Sequence, residues 1–137
     1  MELSSRSRYG LKAIVRLAMA YEDGPLQIKI IADDSNIPHK YLEQLFSMMR
    51  SAGLVLSVRG PNGGQILTRP PNKITLYEII TSLDGLFIAP ECPEHHVYSP
   101  RCSGCVSSKV WLKVRNVIAE ILKSRTLQDI VDEITSG

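Results

Sequence analysis

Three cysteines, Cys92, Cys102 and Cys105, fall within fourteen residues of a 137-residue chain, and His95 and His96 lie between the first two. Soft thiolates gathered this closely are the donor set that zinc or an iron–sulfur cluster takes. Three sulfurs leave one coordination position open, for which His95 and His96 are the nearest candidates, and Glu91 and Glu94 add oxygen donors. Other chemistries use the same residues. Cys102 and Cys105 form a Cys-x-x-Cys, which serves as a redox pair or as half of a zinc site, and three thiols in a loop can also be incidental. A thiol enzyme is disfavoured, because the pair does not open a helix after a strand and no acid, base and nucleophile converge on it.

The second chemistry-bearing set follows Pro38. His39, Lys40, Tyr41, Glu43 and Gln44 are polar or amphipathic and sit off the apolar stripe of Leu42, Leu45 and Phe46. If the helix they open is the recognition helix of a helix-turn-helix, its amino end enters the major groove of double-stranded DNA. Phosphate repels Glu43, so its task is to accept a hydrogen bond from a cytosine amino group, and Gln44 suits adenine. Lys40 and Tyr41 suit backbone phosphates. Further on, Arg59-Gly60-Pro61-Asn62-Gly63-Gly64 offers an arginine able to enter a narrow groove and glycines that let backbone approach closely. Ser4, Arg6, Arg8 and Lys12 can hold more phosphates from a first helix. Against this stand solvated surface charges and a winged helix used for protein contact, since one fold serves many functions.

Charge distribution agrees weakly with an anionic partner for the first half. Residues 1–70 carry nine Lys or Arg against six Asp or Glu, whereas residues 71–137 carry seven against eight. The whole-chain net charge of +2 conceals that difference.

These residues need elements to position them. Helical periodicity runs from Arg6 to Tyr21, with Tyr9, Ala13, Ile14 and Leu17 on one face, and a short helical segment spans residues 27–34. Ser35-Asn36-Ile37 is a turn, and Pro38 suits a first helical position. After Gly53 the period changes to two: Leu54–Val58 and Gln65–Thr68 read as strands of a hairpin around the glycine-rich loop. Thr75 and Glu78 form a capping box, stapled by Ile74 and Ile79, for a helix closing near Asp84-Gly85. Residues 88–105 show no period and hold prolines at 90, 93 and 100. A helix over 109–123 follows, with Trp111, Val114, Ile118, Ile121 and Leu122 on one face, and Thr126 caps a last helix carrying Leu127, Ile130, Val131 and Ile134.

Tyr41-Leu42-Glu43-Gln44-Leu45-Phe46, Ala52-Gly53-Leu54-Val55, Ser57-Val58-Arg59-Gly60-Pro61-Asn62-Gly63-Gly64 and Ile74-Thr75-Leu76 strongly resemble the IscR, NsrR and CymR family of bacterial winged-helix transcription regulators. The resemblance extends to Ser7-Arg8-Tyr9-Gly10-Leu11 and to Val110-Trp111, and so covers nearly the whole chain. It implies a homodimer joined through the long late helix and bound to a palindromic operator, with Glu43 as the base-reading glutamate and Arg59 as the wing arginine. In the cluster-binding, IscR-like branch three loop cysteines ligate an iron–sulfur cluster, most often [2Fe-2S]; CymR-like members manage without metal. Here two residues separate Cys102 from Cys105 and nine separate Cys92 from Cys102, a departure from the family's spacing. Ser108 stands where IscR-type members place a histidine, and Arg8 stands where NsrR-like members place an acidic ligand.

The expected fold is therefore mainly α with a small β-hairpin wing: a winged helix-turn-helix over 1–85, a cysteine-containing sensor loop over 86–107, and a dimerisation helix plus C-terminal helix over 108–137. The expected function is a DNA-binding regulator, read as a repressor, gated by an iron–sulfur cluster or alternatively by zinc, thiol oxidation or a partner protein. Charges at the amino end where a signal peptide needs apolar residues, and no apolar run near the roughly 18 residues of a membrane span, place it in the cytoplasm without membrane contact. An odd cysteine count also argues against a self-contained disulfide framework.

Overall fold

The computed structural model describes residues 4–85 and 106–136. Cys92, Cys102, Cys105, His95 and His96 lie outside the described residues, as does the side chain of Trp111. Six helices and one antiparallel hairpin are described. None of these helices is long and apolar enough to cross a membrane.

Helix α1 (Ser5–Met19) starts at Ser4, whose hydroxyl accepts a hydrogen bond from the Ser7 amide at 3.1 Å, satisfying one of the donors a helix start leaves open. Its buried face combines Ser7, Gly10, Ala13, Ile14, Leu17 and Ala18. The helix stops at Met19, before the expected Tyr21, because the chain tightens into a 3₁₀ turn over Tyr21–Asp23.

Helices α2 (Ile28–Ser35) and α3 (His39–Ser51) form the helix-turn-helix. Asn36 makes the turn in the left-handed region, φ 55°, which an asparagine tolerates better than most residues. Pro38 is the cap of α3 rather than its first residue, with extended angles of φ −54° and ψ 133°. The stripe of Leu42, Leu45, Phe46 and Met49 is buried as its spacing requires.

Strands β1 (Val55–Val58) and β2 (Gly64–Leu67) pair antiparallel, with Ser57 opposite Gln65 and Val58 opposite Gly64. The amide of Gly63 donates to the Gly60 carbonyl at 2.9 Å across the turn. A Cβ on Gly63 would lie 2.1 Å from the Val58 oxygen, so a side chain there would break the turn. Leu26 adds a further rung: its amide donates to the Gln65 carbonyl at 3.1 Å, and its carbonyl accepts from the Gln65 amide at 2.8 Å.

After a 3₁₀ turn at Pro71–Lys73, helix α4 (Leu76–Asp84) begins with the expected capping box: Glu78 N–H donates to the Thr75 hydroxyl at 3.2 Å, and Thr75 N–H donates to the Glu78 carboxylate at 2.9 Å. Helix α4 packs closely on α1, since a Cβ added to Gly10 would sit 2.3 Å from Leu83 Cδ1. One core runs through α1, α2, α3, both strands and α4.

Helix α5 (Val106–Ser124) leads into α6 (Leu127–Ser136), and their junction returns to the start of α4. Leu76 N–H donates to the Arg125 carbonyl at 3.0 Å, and Leu127 N–H donates to the Ile74 carbonyl at 2.8 Å. Thr126 and Asp129 cap α6 reciprocally. The Leu127 side chain is fully buried in the core, with Ile130 and Val131 packed against it. Lys123 lies 4.6 Å from the Tyr77 ring centre, a cation–π contact holding α5 to α4.

Candidate nucleic-acid interface

Buried and exposed positions of α3 separate cleanly. Because Leu42, Leu45, Phe46 and Met49 turn into the core, His39, Lys40, Glu43, Gln44 and Ser47 are carried to the surface. The exposed set is compatible with groove entry because nothing in it is a large apolar side chain. Pro38 has no side-chain oxygen to cap the first turn of α3, so the amides there remain available to an outside acceptor such as phosphate.

His39 and Glu43 face each other one turn apart, with Nδ1 and Oε1 at 3.1 Å and both side chains about half exposed. Tyr41 leans the other way and meets the ring of Tyr9 edge-on, centroids 6.0 Å apart and planes at 83°. Tyr9, expected among the apolar positions of α1, is 40% exposed and finds its aromatic partner there rather than in the core. The contact also sets the amino-terminal half of α1 beside the amino end of α3. Lys12 donates to the Ser35 carbonyl at 3.1 Å, so its ammonium closes the end of α2 while its stem remains at the surface.

Arg8 is exposed and touches the Ser5 hydroxyl at 3.4 Å. Ser4 and Arg6 are turned to a different partner. Both bond Asp84 at the end of α4, Arg6 Nη2 at 3.3 Å, and Ser7 donates to the other carboxylate oxygen. Burial alone would raise the Asp84 carboxyl, but the hydrogen bonds from Ser4, Ser7 and Arg6 and the Arg6 charge outweigh it and hold the group below its ordinary value. Glu78 behaves alike: burial pushes up, while the Thr75 amide and Arg69 pull it lower. Arg69 Nη2 lies 3.0 Å from the Glu78 carboxylate.

The wing places Arg59, Gly60 and Asn62 at the surface, with Gly63 buried beneath the turn and Gly64 partly covered. Three residues that sequence reasoning missed join this wing to α3. Gln65 is buried, only 6% exposed; its side-chain oxygen accepts from Arg50 Nη1 at 3.0 Å, and its amide donates to the Ser57 hydroxyl at 2.9 Å. The signal was present as a glutamine at a strand position facing inward.

Helix α5 presents another surface. Val110, Val117 and Ile121 are 51, 54 and 57% exposed, and with the partly covered Val114 they follow a seven-residue rhythm. Ile118 and Leu122, expected on one face with Ile121, turn partly toward the protein instead. Among the described residues, no group of three or more His, Cys, Asp or Glu could hold a metal ion.

Residues 3–133 match the family model described as Rrf2, an iron-dependent transcriptional regulator. The chain is 38% identical over 130 residues to the HTH-type transcriptional regulator CymR of Bacillus subtilis, covering 95% of this chain and 89% of that protein. Its structure is similar to that of T. potens IscR, with a TM-score of 0.80 and 36% identity over 98% of this chain and 88% of the other. It is also similar to the structure of CymR, the global cysteine regulator of B. subtilis, with a TM-score of 0.75 and 33% identity over 97% and 98%.

Proposed function

The chain belongs to the Rrf2 family of transcriptional regulators, and from that premise we propose that it represses transcription as a homodimer on a palindromic operator, its affinity set by an iron–sulfur cluster. Its relatives are regulators rather than enzymes. The observation that carries the DNA part is the exposed polar edge of α3, His39, Lys40, Glu43 and Gln44, presented beside a wing tipped by Arg59. In the major groove Glu43 accepts from cytosine and Gln44 reads adenine. Lys40 and Arg8 neutralise phosphates, Tyr41 donates its hydroxyl to one, and the half-exposed guanidinium of Arg6 adds its charge from beside Asp84, while Ser4 holds the start of α1 on Asp84. Arg59, Gly60, Asn62, Gly63 and Gly64 follow the backbone or the minor groove.

Dimerisation rests on α5. The stripe of Val110, Val114, Val117 and Ile121 has the spacing of a helix seam, and pairing two such helices about a two-fold axis gives the symmetry of a palindrome, whose half-sites call for two α3 helices about 34 Å apart, one turn of DNA. Cytoplasmic placement follows from the DNA partner.

The donor chemistry of Cys92, Cys102 and Cys105 fits an iron–sulfur cluster of the [2Fe-2S] kind, with His95 or His96 as the fourth ligand. When bound, such a group ties three thiolates to one another and makes the segment joining α4 to α5 sensitive to iron supply and oxidants. That segment continues into the seam helix, so its state reaches the spacing of the two α3 helices. A second reading keeps the DNA role but gates it by zinc, thiol oxidation or a partner protein; the 38% identity to CymR favours it.

Anaerobic purification of the full chain, followed by iron, acid-labile sulfide and zinc analysis, tests the cluster. Visible absorption with iron and sulfide in equal amounts is expected; colourless protein with zinc, or with no metal, overturns it. Duplexes selected from a random-sequence library should share a palindrome and bind two chains.

A further inference from the structure

Gln65 occupies a place where an apolar side chain would satisfy the fold. Its strand neighbour two positions on, Leu67, points into the core, and Gln65 itself is 6% exposed. Its polar groups are nevertheless used on three sides. The backbone exchanges both hydrogen bonds with Leu26, at 3.1 and 2.8 Å, which ties β2 to the segment entering α2. The side chain takes Arg50 from the last turn of α3 at 3.0 Å and shares hydrogen bonds with Ser57 on β1 at 2.9 and 3.2 Å. Among the described residues no buried side-chain polar atom lacks a partner, so neither polar atom of the buried Gln65 side chain is left unpaired. A satisfied buried polar network fixes one arrangement where apolar packing tolerates several. Fixing matters here, because a two-stranded hairpin is at best marginally stable alone and takes its orientation from what it packs on.

We propose that Arg50 and Gln65 are positioning residues for DNA binding: they lock the wing to the recognition helix, so that Arg59 meets the duplex at a set offset from Glu43. This rests on the DNA-binding reading above. The network does not touch DNA itself; it acts through the wing, and its effect therefore disappears when the wing has nothing to deliver.

The test is a double-mutant cycle on a duplex that the full chain has selected from a random-sequence library. Gln65→Met, close in volume but unable to bond Arg50, should lower affinity about tenfold in the wild-type background and less than about twofold once Arg59→Ala is present. Gln65→Glu, which keeps an oxygen for Arg50, should restore most of the loss. Equal losses in both backgrounds, or a loss that merely tracks the melting temperature across variants, overturn the proposal. A DNA-free arm separates it from the reading it rests on: Gln65→Met should accelerate amide exchange across residues 55–67 about tenfold while leaving α1 unchanged. Uniform acceleration, or none in the wing, overturns it. If the chain selects no sequence, the DNA-binding reading falls and the exchange result decides the wing coupling alone. Should Gln65→Met not fold, Ser57→Ala removes the β1 side of the network and carries both arms, with the same dependence on Arg59 expected.

Discussion

His39 and Glu43 are bridged across one turn of the exposed edge of α3, Nδ1 to Oε1 at 3.1 Å. The carboxylate assigned to base reading thus already has a partner in the free protein. Any hydrogen bond that it accepts from a base must replace or share that contact.

Glu43→Ala should consequently relax base preference more than it weakens binding. At the base pair it reads, discrimination worth about 1–3 kcal/mol is expected to vanish, while affinity for unrelated duplex stays the same or rises because a phosphate-repelling charge is gone. Binding to a panel of single-base operator variants measures this, and an unchanged order of preference would show that Glu43 is not the reader.

Gly10→Ala brings a methyl group to 2.3 Å from Leu83 Cδ1 in a tightly packed helix pair. Helix propensity would favour the alanine by roughly 1 kcal/mol, and overpacking opposes it by about 1–3 kcal/mol. A net loss of stability is expected, visible as a lower urea midpoint with an unchanged slope. Leu83→Ala should lessen the penalty of Gly10→Ala when the two are combined.

Asp84 is held below its ordinary value in the folded chain: burial opposes ionisation, yet bonds from Ser4, Ser7 and Arg6 win. A depressed folded value means stability that is fully present above the unfolded value, about 4 for aspartate, and is lost as pH falls through the folded one. Glu78 adds to the same acid-side loss. Asp84→Asn should flatten the unfolding free energy against pH on the acid side, and a slope identical to wild type there would contradict the clamp.

Thr75→Ala removes the hydroxyl that accepts from the Glu78 amide at 3.2 Å and unmakes the capping box. Its expected cost is about 1 kcal/mol, read by thermal or urea unfolding. Because Glu78 also pairs with Arg69, Glu78→Ala should cost more than Thr75→Ala.

Local signals carried most of the fold. The apolar stripe of α3, the two reciprocal caps at Thr75 and Thr126, and the switch to a two-residue period after Gly53 depend on neighbours within a few positions, so spacing alone reveals them. Pro38 lies one position earlier relative to α3 than spacing predicts, because a proline suits both the cap and the first turn and only backbone angles decide. Contacts between distant segments left little trace: Leu26 joining Gln65, Arg50 reaching Gln65, and Ser4, Arg6 and Ser7 converging on Asp84 span 15 to 80 positions. The Asp84 partner of Ser4 and Arg6 is invisible in spacing for that reason. In α5 the apolar face is wider than the covered strip, so Ile121 stays 57% exposed while its neighbours Ile118 and Leu122 are partly covered, a difference that spacing cannot reveal. The exposed edge of α3 was legible because burial of Leu42, Leu45 and Phe46 leaves its neighbours nowhere else to go. The cysteines were legible as a donor set, and their mutual arrangement lies beyond the described residues.

Leu127 comes from the far side of the chain and completes the core under α1 and α4. A fragment ending at Gly85 would therefore carry a leucine-sized void and an unpaired edge at Ile74. Deleting a comparable buried leucine side chain costs about 2–5 kcal/mol, a large share of what a domain of this size has to lose. The carboxy-terminal segment is in this sense not an appendage to the first 85 residues. Its last helix is a structural component of the core shared with α1 to α4, so losing it would weaken the whole fold rather than one end of it.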